Sequence, residues 1–494
     1  MSLLSTFESL LESWRDIFPQ SRTYDRAHRL TFGLVSCLRL HLTSNAICAA
    51  GQQFKDWSAD YRVFSRSLWD PHRLFDPIFA HLARFLPTDD SPVFAAIDDT
   101  LGARVESALC KKTGRKIPGA STGRDPQSLP FHVNLMRGLR FVQVTLLVSP
   151  LDQRGPARAL PVRFEPAPPA VKPKKTASED EKKLFRQEKK KRALTRVGVD
   201  MMSSVRDQLD QRPDTVNRQL IISGDGSYTN GTTLKNLPPR TTFIGRIRKD
   251  AKLFLPLPAP SESKSSGRPR RYGPPASTPE QVLKDDSIPL QKVSAFAAGQ
   301  IREFSLKVVK SLYWRKAGSA LPLMLVVIKP VGYRLRNGSK LLYRDPAFLI
   351  CTDLTLAIET LLQAYIDRWQ IECNHRDEKS FIGVAQGQVR SPLAVARLPQ
   401  FQVAGYSLLV LASLITFGFQ RTAEFLPLPK WRGKSIRPSV LDILNLLRQE
   451  IFSRQLQPLP ENENSFGHFA ESHPFDAKSK KLPFTPESLS TYAA

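Results

Sequence analysis

The five cysteines of this 494-residue chain (Cys37, Cys48, Cys110, Cys351 and Cys373) include no Cys-x-x-Cys pair. Their scatter excludes a disulfide scaffold and a cysteine-ligated zinc site, and fits a reduced, cytoplasmic protein. Acidic residues are in short supply, with 46 Asp plus Glu against 72 Lys plus Arg, and 72 − 46 leaves a formal charge of +26. Long apolar runs are scarce too. The one stretch of membrane-spanning length is Leu398–Gln420, 23 residues without a charge. Its Gln400, Gln402, Ser407, Ser413, Thr416 and two glycines mark it instead as a buried core helix. The N-terminus lacks a basic flank followed by an apolar core, so it reads as an amphipathic helix and not as a signal peptide.

With 41% hydrophobic and 24% charged residues, the chain is neither wholly disordered nor a multi-span membrane protein. Its positive surplus needs an anionic counterpart. In the absence of a membrane segment, that counterpart is nucleic acid.

The pattern divides the chain. Residues 1–88 read as a helical N-terminal domain, in which Thr43–Ala50 and Ser58–Ser67 have helix-turn-helix length, with Ser58 as cap and Arg62 and Arg66 on the second helix. The alternative there is a packing bundle. Strand-like runs begin at Val93–Ile97 and continue at Leu139–Val148, Arg218–Gly224 and Thr241–Ile247, within a region spanning 89–250. A Pro-rich stretch after residue 150 leads into Asp180–Val199, read as one charged, solvated helix; ten Lys or Arg against four acids between Lys172 and Arg192 make it a candidate phosphate-contacting face.

Region 251–345 opens as a Pro- and Ser-rich loop through residue 292 that contains Gly267-Arg268-Pro269-Arg270-Arg271, similar to the core of an AT-hook without its leading arginine. Strands follow at Ser305–Trp314, Leu321–Ile328 and Lys340–Tyr343, with Asn337-Gly338 as a hairpin turn. Region 346–425 holds a strand at Ala347–Cys351 and a long helix, capped by Asp353 and reaching Phe381 at most; region 426–494 holds a helix and an aperiodic tail.

Chemistry concentrates on that long helix. Tyr365, Arg368, Glu372 and Lys379 follow one another by three, four and seven residues, which confines them to an arc of roughly 60° on an α-helix. A routine i,i+4 pair accounts for Arg368 and Glu372 but not for the alignment of Tyr365 and Lys379 with them. Asp98 and Asp225 each end an apolar strand, so parallel neighbouring strands would deliver both to one sheet edge. Three ionised carboxylates brought together repel one another unless divalent cations lie between them. Oxygen donors select Mg²⁺ or Mn²⁺, and two such ions suit displacement at phosphorus.

The order Asp98, Asp225, Glu372, with the last inside Tyr365-x₂-Arg368-x₃-Glu372-x₆-Lys379, resembles the DDE transposases of bacterial insertion sequences, in the branch with a Tyr-Arg-Glu-Lys signature. Ile97-Asp98-Asp99-Thr100, Asp225-Gly226-Ser227-Tyr228 and Gln388-Val389-Arg390-Ser391 carry the same likeness. The resemblance implies an α/β fold: an RNase H-like catalytic domain with a mixed sheet, a β-rich insertion between the second Asp and the Glu, and a helical N-terminal domain. It implies that Asp98, Asp225 and Glu372 hold two Mg²⁺ ions and that Tyr365, Arg368 and Lys379 grip transposon-end phosphates. It further implies a homodimer on double-stranded DNA, cutting at terminal inverted repeats and joining 3′-hydroxyls to target DNA. Asp98-Asp99 offers two candidates for the first acid, of which the family's spacing selects Asp98. His132 and His375 read as structural residues or phosphate contacts. Rival readings are a non-catalytic DNA-binding protein on the same scaffold, and an RNase H-like nuclease or resolvase.

Overall fold

The computed structural model describes residues 2–88, 90–103, 117–124, 128, 132–150, 155, 157–258, 270–334, 338–431 and 435–456. The N-terminal part is helical: α1 (Leu3–Glu12), α2 (Ser21–Ser36), α3 (Thr43–Ala49), α4 (Trp57–Ser65) and α5 (Asp76–His81). In α1 the Ser2 hydroxyl accepts from the Ser5 amide at 3.1 Å, and Leu3, Leu4, Phe7, Leu10 and Leu11 are buried at three- and four-residue spacing. Of the two short helices expected at Thr43–Ala50 and Ser58–Ser67, α3 forms over Thr43–Ala49 and α4 over Trp57–Ser65, starting directly after Asp56 and not at Ser58.

Next come β1 (Val93–Ala103), β2 (Ser121–Arg124), β3 (Leu135–Val148) and β4 (Arg158–Pro166), then α6 (Glu179–Lys191) and α7 (Leu194–Asp210). They are followed by β5 (Leu220–Gly224), α8 (Gly231–Leu234), β6 (Thr241–Arg246), β7 (Leu253–Phe254) and α9 (Pro279–Lys284). The strands β8 (Gln291–Ala297), β9 (Gln300–Trp314), β10 (Gly318–Ile328), β11 (Gly332–Tyr333), β12 (Leu342–Tyr343) and β13 (Ala347–Cys351) lead to α10 (Ile358–Asp367), α11 (Trp369–Phe381), α12 (Pro392–Phe417) and α13 (Val440–Leu456). Met1–Arg448 forms one compact unit. Gln449–Ala494 forms another, described here only through Leu456.

Eleven strands make one mixed sheet in the order β2-β3-β1-β5-β6-β13-β10-β9-β7, with β4 also on β3 and β8 also on β9. Its centre is parallel: β1 runs with β5, and β5 with β6. The strands after Asp225 therefore extend the sheet that carries Asp98. Alternation along β1 sets the two layers. Ala96 packs with Ile371 of α11, whereas Ile97 faces Gly198 of α7, where an added Cβ would lie 3.0 Å from Ile97 and 2.7 Å from the Tyr228 ring.

Three expectations need correction. Asp180–Val199 is two helices: α6 is solvated throughout, whereas α7 buries Val199, Met202, Val205 and Leu209 because the apolar period resumes at Leu194. The Pro-rich stretch hides β4, whose Pro161 sits opposite Thr145 beside a register shift in a strand paired only with β3, the setting in which proline is tolerated. Asp353 does not cap the long helix. Its Oδ1 accepts from the Thr355 amide at 2.8 Å and its Oδ2 from Gln219 at 3.0 Å, while α10 starts after Ala357.

The long apolar helix is a core helix, as expected. In α12 the most apolar 18-residue window is 94% buried. Two of its buried polar side chains donate to backbone carbonyls, Gln402 to that of Ile382 at 3.1 Å and Ser407 to that of Pro161 at 2.7 Å. Trp14, tilted, and Phe64, edge-on, pack against its Phe401 at 5.6 and 5.3 Å between ring centroids, so the N-terminal helices share this core.

One ion pair joins the N-terminal part to β4: His72 Nε2 lies 2.6 Å from Glu165 Oε1, and this carboxylate holds the His72 pKa above its ordinary value. A raised histidine pKa contributes stability that is complete below the unfolded value and vanishes as pH rises through the folded one. His72→Gln is therefore expected to cost about 0.5–1 kcal/mol in urea unfolding at pH 5.5, for a partly exposed pair, and close to nothing at pH 9.

Candidate active site

The register of the parallel pair β1–β5 places Ile97 beside Gly224. The next residues, Asp98 and Asp225, thus leave the pair side by side at its C-terminal end. Asp225 is held by the turn it starts: its Oδ1 accepts from the Ser227 amide at 2.9 Å and the Ser227 hydroxyl at 2.6 Å. Unlike β5, β1 runs on to Ala103 along β3, so strand alternation separates the aspartate doublet. Asp98 shares the α11 side with Ala96. Asp99 shares the α7 side with Ile97, lying beside the Tyr228 hydroxyl and 3.4 Å from Arg140.

The expected single helix is interrupted at Arg368, between α10 and α11. Arg368 keeps helical backbone angles, φ −48° and ψ −33°, and its amide still reaches the Ala364 carbonyl at 3.2 Å. Its guanidinium lies 2.9 Å from Glu372 Oε1 and 3.8 Å from Asp98 Oδ2. Burial, with the nearby charge of Asp225 second, pushes the Asp98 carboxyl up to about 7, against the pull of Arg368. Burial also raises Glu372; Arg368 opposes this and Asp225 adds to it. The fold therefore brings all three predicted acids into one electrostatic neighbourhood.

Among the described residues no three His, Cys, Asp or Glu side chains stand at the spacing of a ready-made metal site. Arg368 stands between two of the acids. The donor set nonetheless suits a hard divalent cation, because half-buried carboxylates whose charges oppose one another gain most from such an ion.

The other predicted residues lie as follows. Tyr365 packs partly buried against the β6–β10–β13 core. Lys379 is half-buried, and burial lowers its ammonium pKa. Arg62 and Arg66 are exposed on and just after α4, with Arg62 donating to Ser58 Oγ at 2.6 Å. Arg270 and Arg271 are exposed, and Arg268 lies outside the described residues, as does Asn337 of the expected turn. His132 is exposed. His375 is a core residue that burial holds neutral, pushed down to about 3, which removes it from the phosphate contacts.

Sequence reasoning missed a cavity of about 1180 Å³ beside the second aspartate. Gly226 and Thr229 line it next to Asp225, and Arg246, Arg248, Lys249, Lys252 and Lys316 line it with Trp314. Five basic side chains there meet three acids, Asp250, Glu280 and Asp345, a surplus of two. The run Arg246–Lys252 after β6 was the available signal.

The family model described as DDE superfamily endonuclease matches residues 15–303, a span that includes Asp98 and Asp225 and stops short of Glu372. No curated protein matches the chain.

The raised pKa of Asp98 gives a stability test. Between about 4 and about 7 the folded state binds a proton that the unfolded state has lost, so stability falls as pH rises through this window. In metal-free protein, Asp98→Asn is expected to raise the melting temperature above wild type at pH 8 and to change it little at pH 4.

Proposed function

Because the chain belongs to the DDE superfamily of endonucleases, we propose that it is a DNA transposase of an insertion sequence, in the branch with the Tyr-Arg-Glu-Lys signature. It cuts at the element's terminal inverted repeats and transfers 3′-hydroxyls to target DNA. The observation that carries this reading is that Asp98 and Asp225 leave the β1–β5 pair side by side while Arg368 lies against both Asp98 and Glu372.

In this reading Asp98, Asp225 and Glu372 hold two Mg²⁺ ions, with Mn²⁺ as substitute. Bound there, the ions supply an activated water or 3′-hydroxyl and neutralise charge at the scissile phosphate. The protein's own part is positioning. Asp225 is preset by the Ser227 bonds, and Asp98 by its place in the β1–β3 ladder. The forked guanidinium of Arg368 would offer two parallel donors to phosphate oxygens. Lys379 adds a point charge and Tyr365 a hydroxyl or a stacking face. Asp99, committed to Arg140 on the far side of β1, stays out of the chemistry.

DNA follows the basic surfaces. The helix pair α3–α4 reads the terminal repeat with Arg62 and Arg66, and Arg268, Arg270 and Arg271 touch phosphates from their loop. The cavity beside Asp225 takes the backbone next to the cleavage point. Residues 1–88 serve as the DNA-binding domain, and residues 89–250 and 346–425 as the two parts of the catalytic domain around the 251–345 insertion. Two ends must be cut together, so the chain acts as a homodimer on DNA in the cytoplasm.

Purified protein with Mg²⁺ is expected to release a marker flanked by the element's ends. Asp225→Ala should abolish release while retaining binding, and unchanged excision by this variant rules the mechanism out. Arg246→Ala and Lys316→Ala should each weaken binding to specific and unrelated duplexes alike and lower the salt slope by about 1, read from affinities at several salt concentrations.

A further inference from the structure

Helix α6 buries no side chain, yet its start is firmly closed. The Ser178 hydroxyl accepts from the Glu181 amide at 3.2 Å, and the Glu181 carboxylate accepts from the Ser178 amide at 2.8 Å. Only Lys182, Phe185 and Glu188 are half-buried, at three-residue intervals, so one side of α6 is turned to the protein. The outward side carries Lys183, Arg186 and Lys190, whose spacing confines them to an arc of about 60°. All three are exposed. Among the described residues they form no ion pair, whereas Lys182 and Arg192 are taken by Glu179 and Glu188.

The fold sets α6 at the edge where the acids emerge. Only Arg192 and Ala193 separate it from α7. The far end of α7 bonds the approach to β5, with Arg206 donating to the Arg218 carbonyl at 2.7 Å and the Thr215 hydroxyl to the Leu209 carbonyl at 2.8 Å. Its near end sets Gly198 against Ile97 and the Tyr228 ring. Ile97 precedes Asp98, and Tyr228 lies in the turn that Asp225 starts, its amide 3.4 Å from Asp225 Oδ1. Helix α7 therefore runs against the direction of β5, and the basic last turn of α6 enters at the C-terminal end of the β1–β5 pair. The helices proposed to read the terminal repeat connect to the other face of the sheet. Phe64 of α4 packs on Phe401 of α12, and Tyr406 of α12 donates to Asn374 of α11 at 3.2 Å. Helix α11 covers the face of β1 that carries Ala96, and α7 the face that carries Ile97.

We propose that the outward stripe of Lys183, Arg186 and Lys190 on α6 is the binding surface for target DNA, holding by its phosphates the duplex that receives the element's ends. This rests on the reading of the chain as a transposase. Strand transfer brings two duplexes to one set of acids, so it needs two surfaces. With the terminal repeat on the α11 side, α6 supplies a second surface from the opposite face. The seven residues from Lys183 to Lys190 span about 10 Å, which matches about three phosphates of one strand at about 3.4 Å each along the duplex axis. Contacts to phosphate fix a duplex in place without reading its sequence, as suits a target and not a repeat.

The test uses full-length protein loaded with pre-cut element ends, and measures capture of a fluorescent duplex of unrelated sequence at several salt concentrations. The triple variant Lys183→Ala, Arg186→Ala, Lys190→Ala is expected to melt like wild type and to bind the element's ends as tightly. Its capture of the unrelated duplex should weaken and the salt slope should fall by about 2.7, three phosphates at about 0.9 each, with joining of pre-cut ends to a plasmid down at least about 10-fold near 0.15 M salt. Lys182→Ala, on the inward side and already paired with Glu179, should leave capture unchanged. Wild-type capture by the triple variant overturns the proposal, as does a Lys182→Ala protein equally impaired. Equal loss of end binding and capture also overturns it, since α6 then holds the element's own DNA. Should the triple variant fail to fold, wild-type capture by Lys190→Glu overturns it equally. Asp225→Ala separates the two levels, because capture needs no chemistry. Joining by Asp225→Ala overturns the reading of the acids whatever α6 does, whereas failed joining there beside wild-type capture and joining by the triple variant overturns the α6 surface alone.

Discussion

The structure turns on the mutual repulsion of half-buried carboxylates and on the one guanidinium that answers it. Asp98 and Asp225 are neighbours because two parallel strands end in register, and Glu372 joins them from α11. Burial makes the charges of Asp98 and Glu372 expensive, and Arg368 spans these two without cancelling the cost, so Asp98 still sits near 7. The residue placed to grip phosphate in the proposed mechanism is thus also the counter-charge of two of these carboxylates.

That arrangement demands accuracy from the elements around it. The sheet supplies a fixed edge, because β1 is paired with β5 up to Ile97 and with β3 through Asp98 as far as Ala103. The inner face of α11 is unusually polar, burying Asn374, His375, Asp377 and Glu378. An ordinary core helix would present leucines there. Here Asn374 is tied to Thr145, the Ala159 carbonyl and Tyr406, whereas His375 Nε2 and Glu378 Oε1 have no partner among the described residues, a cost in stability.

The surplus of positive charge is likewise organised by the fold. Part of it is solvated, as on α6, where three lysines in the last turn answer the helix dipole. Part of it is internal and structural: Arg206 donates to the Arg218 carbonyl at 2.7 Å and pairs with Asp210. A third part lines the cavity that Gly226, the neighbour of Asp225, also lines. Net charge alone argues for a polyanionic partner; the third class concentrates part of that charge in one place.

Much of this was legible in the amino-acid order. The placement of Asp225 just after β5 and the buried nature of α12 follow from periodicities of two and 3.6 residues, which are local properties of the backbone, whereas Asp98 does not end its strand as expected, because β1 runs on along β3 to Ala103. The interruption at Arg368, the strand β4 behind its prolines, the split of α6 from α7 and the cavity were not, because each depends on what lies across the sheet or over the helix. The doublet Asp98-Asp99 shows the division most clearly. The sequence determined that two acids would end this run and that alternation would send them to opposite faces. Only the tertiary structure decided which face meets α11, since that depends on strand order and register set by residues distant in the chain, and no local period encodes them.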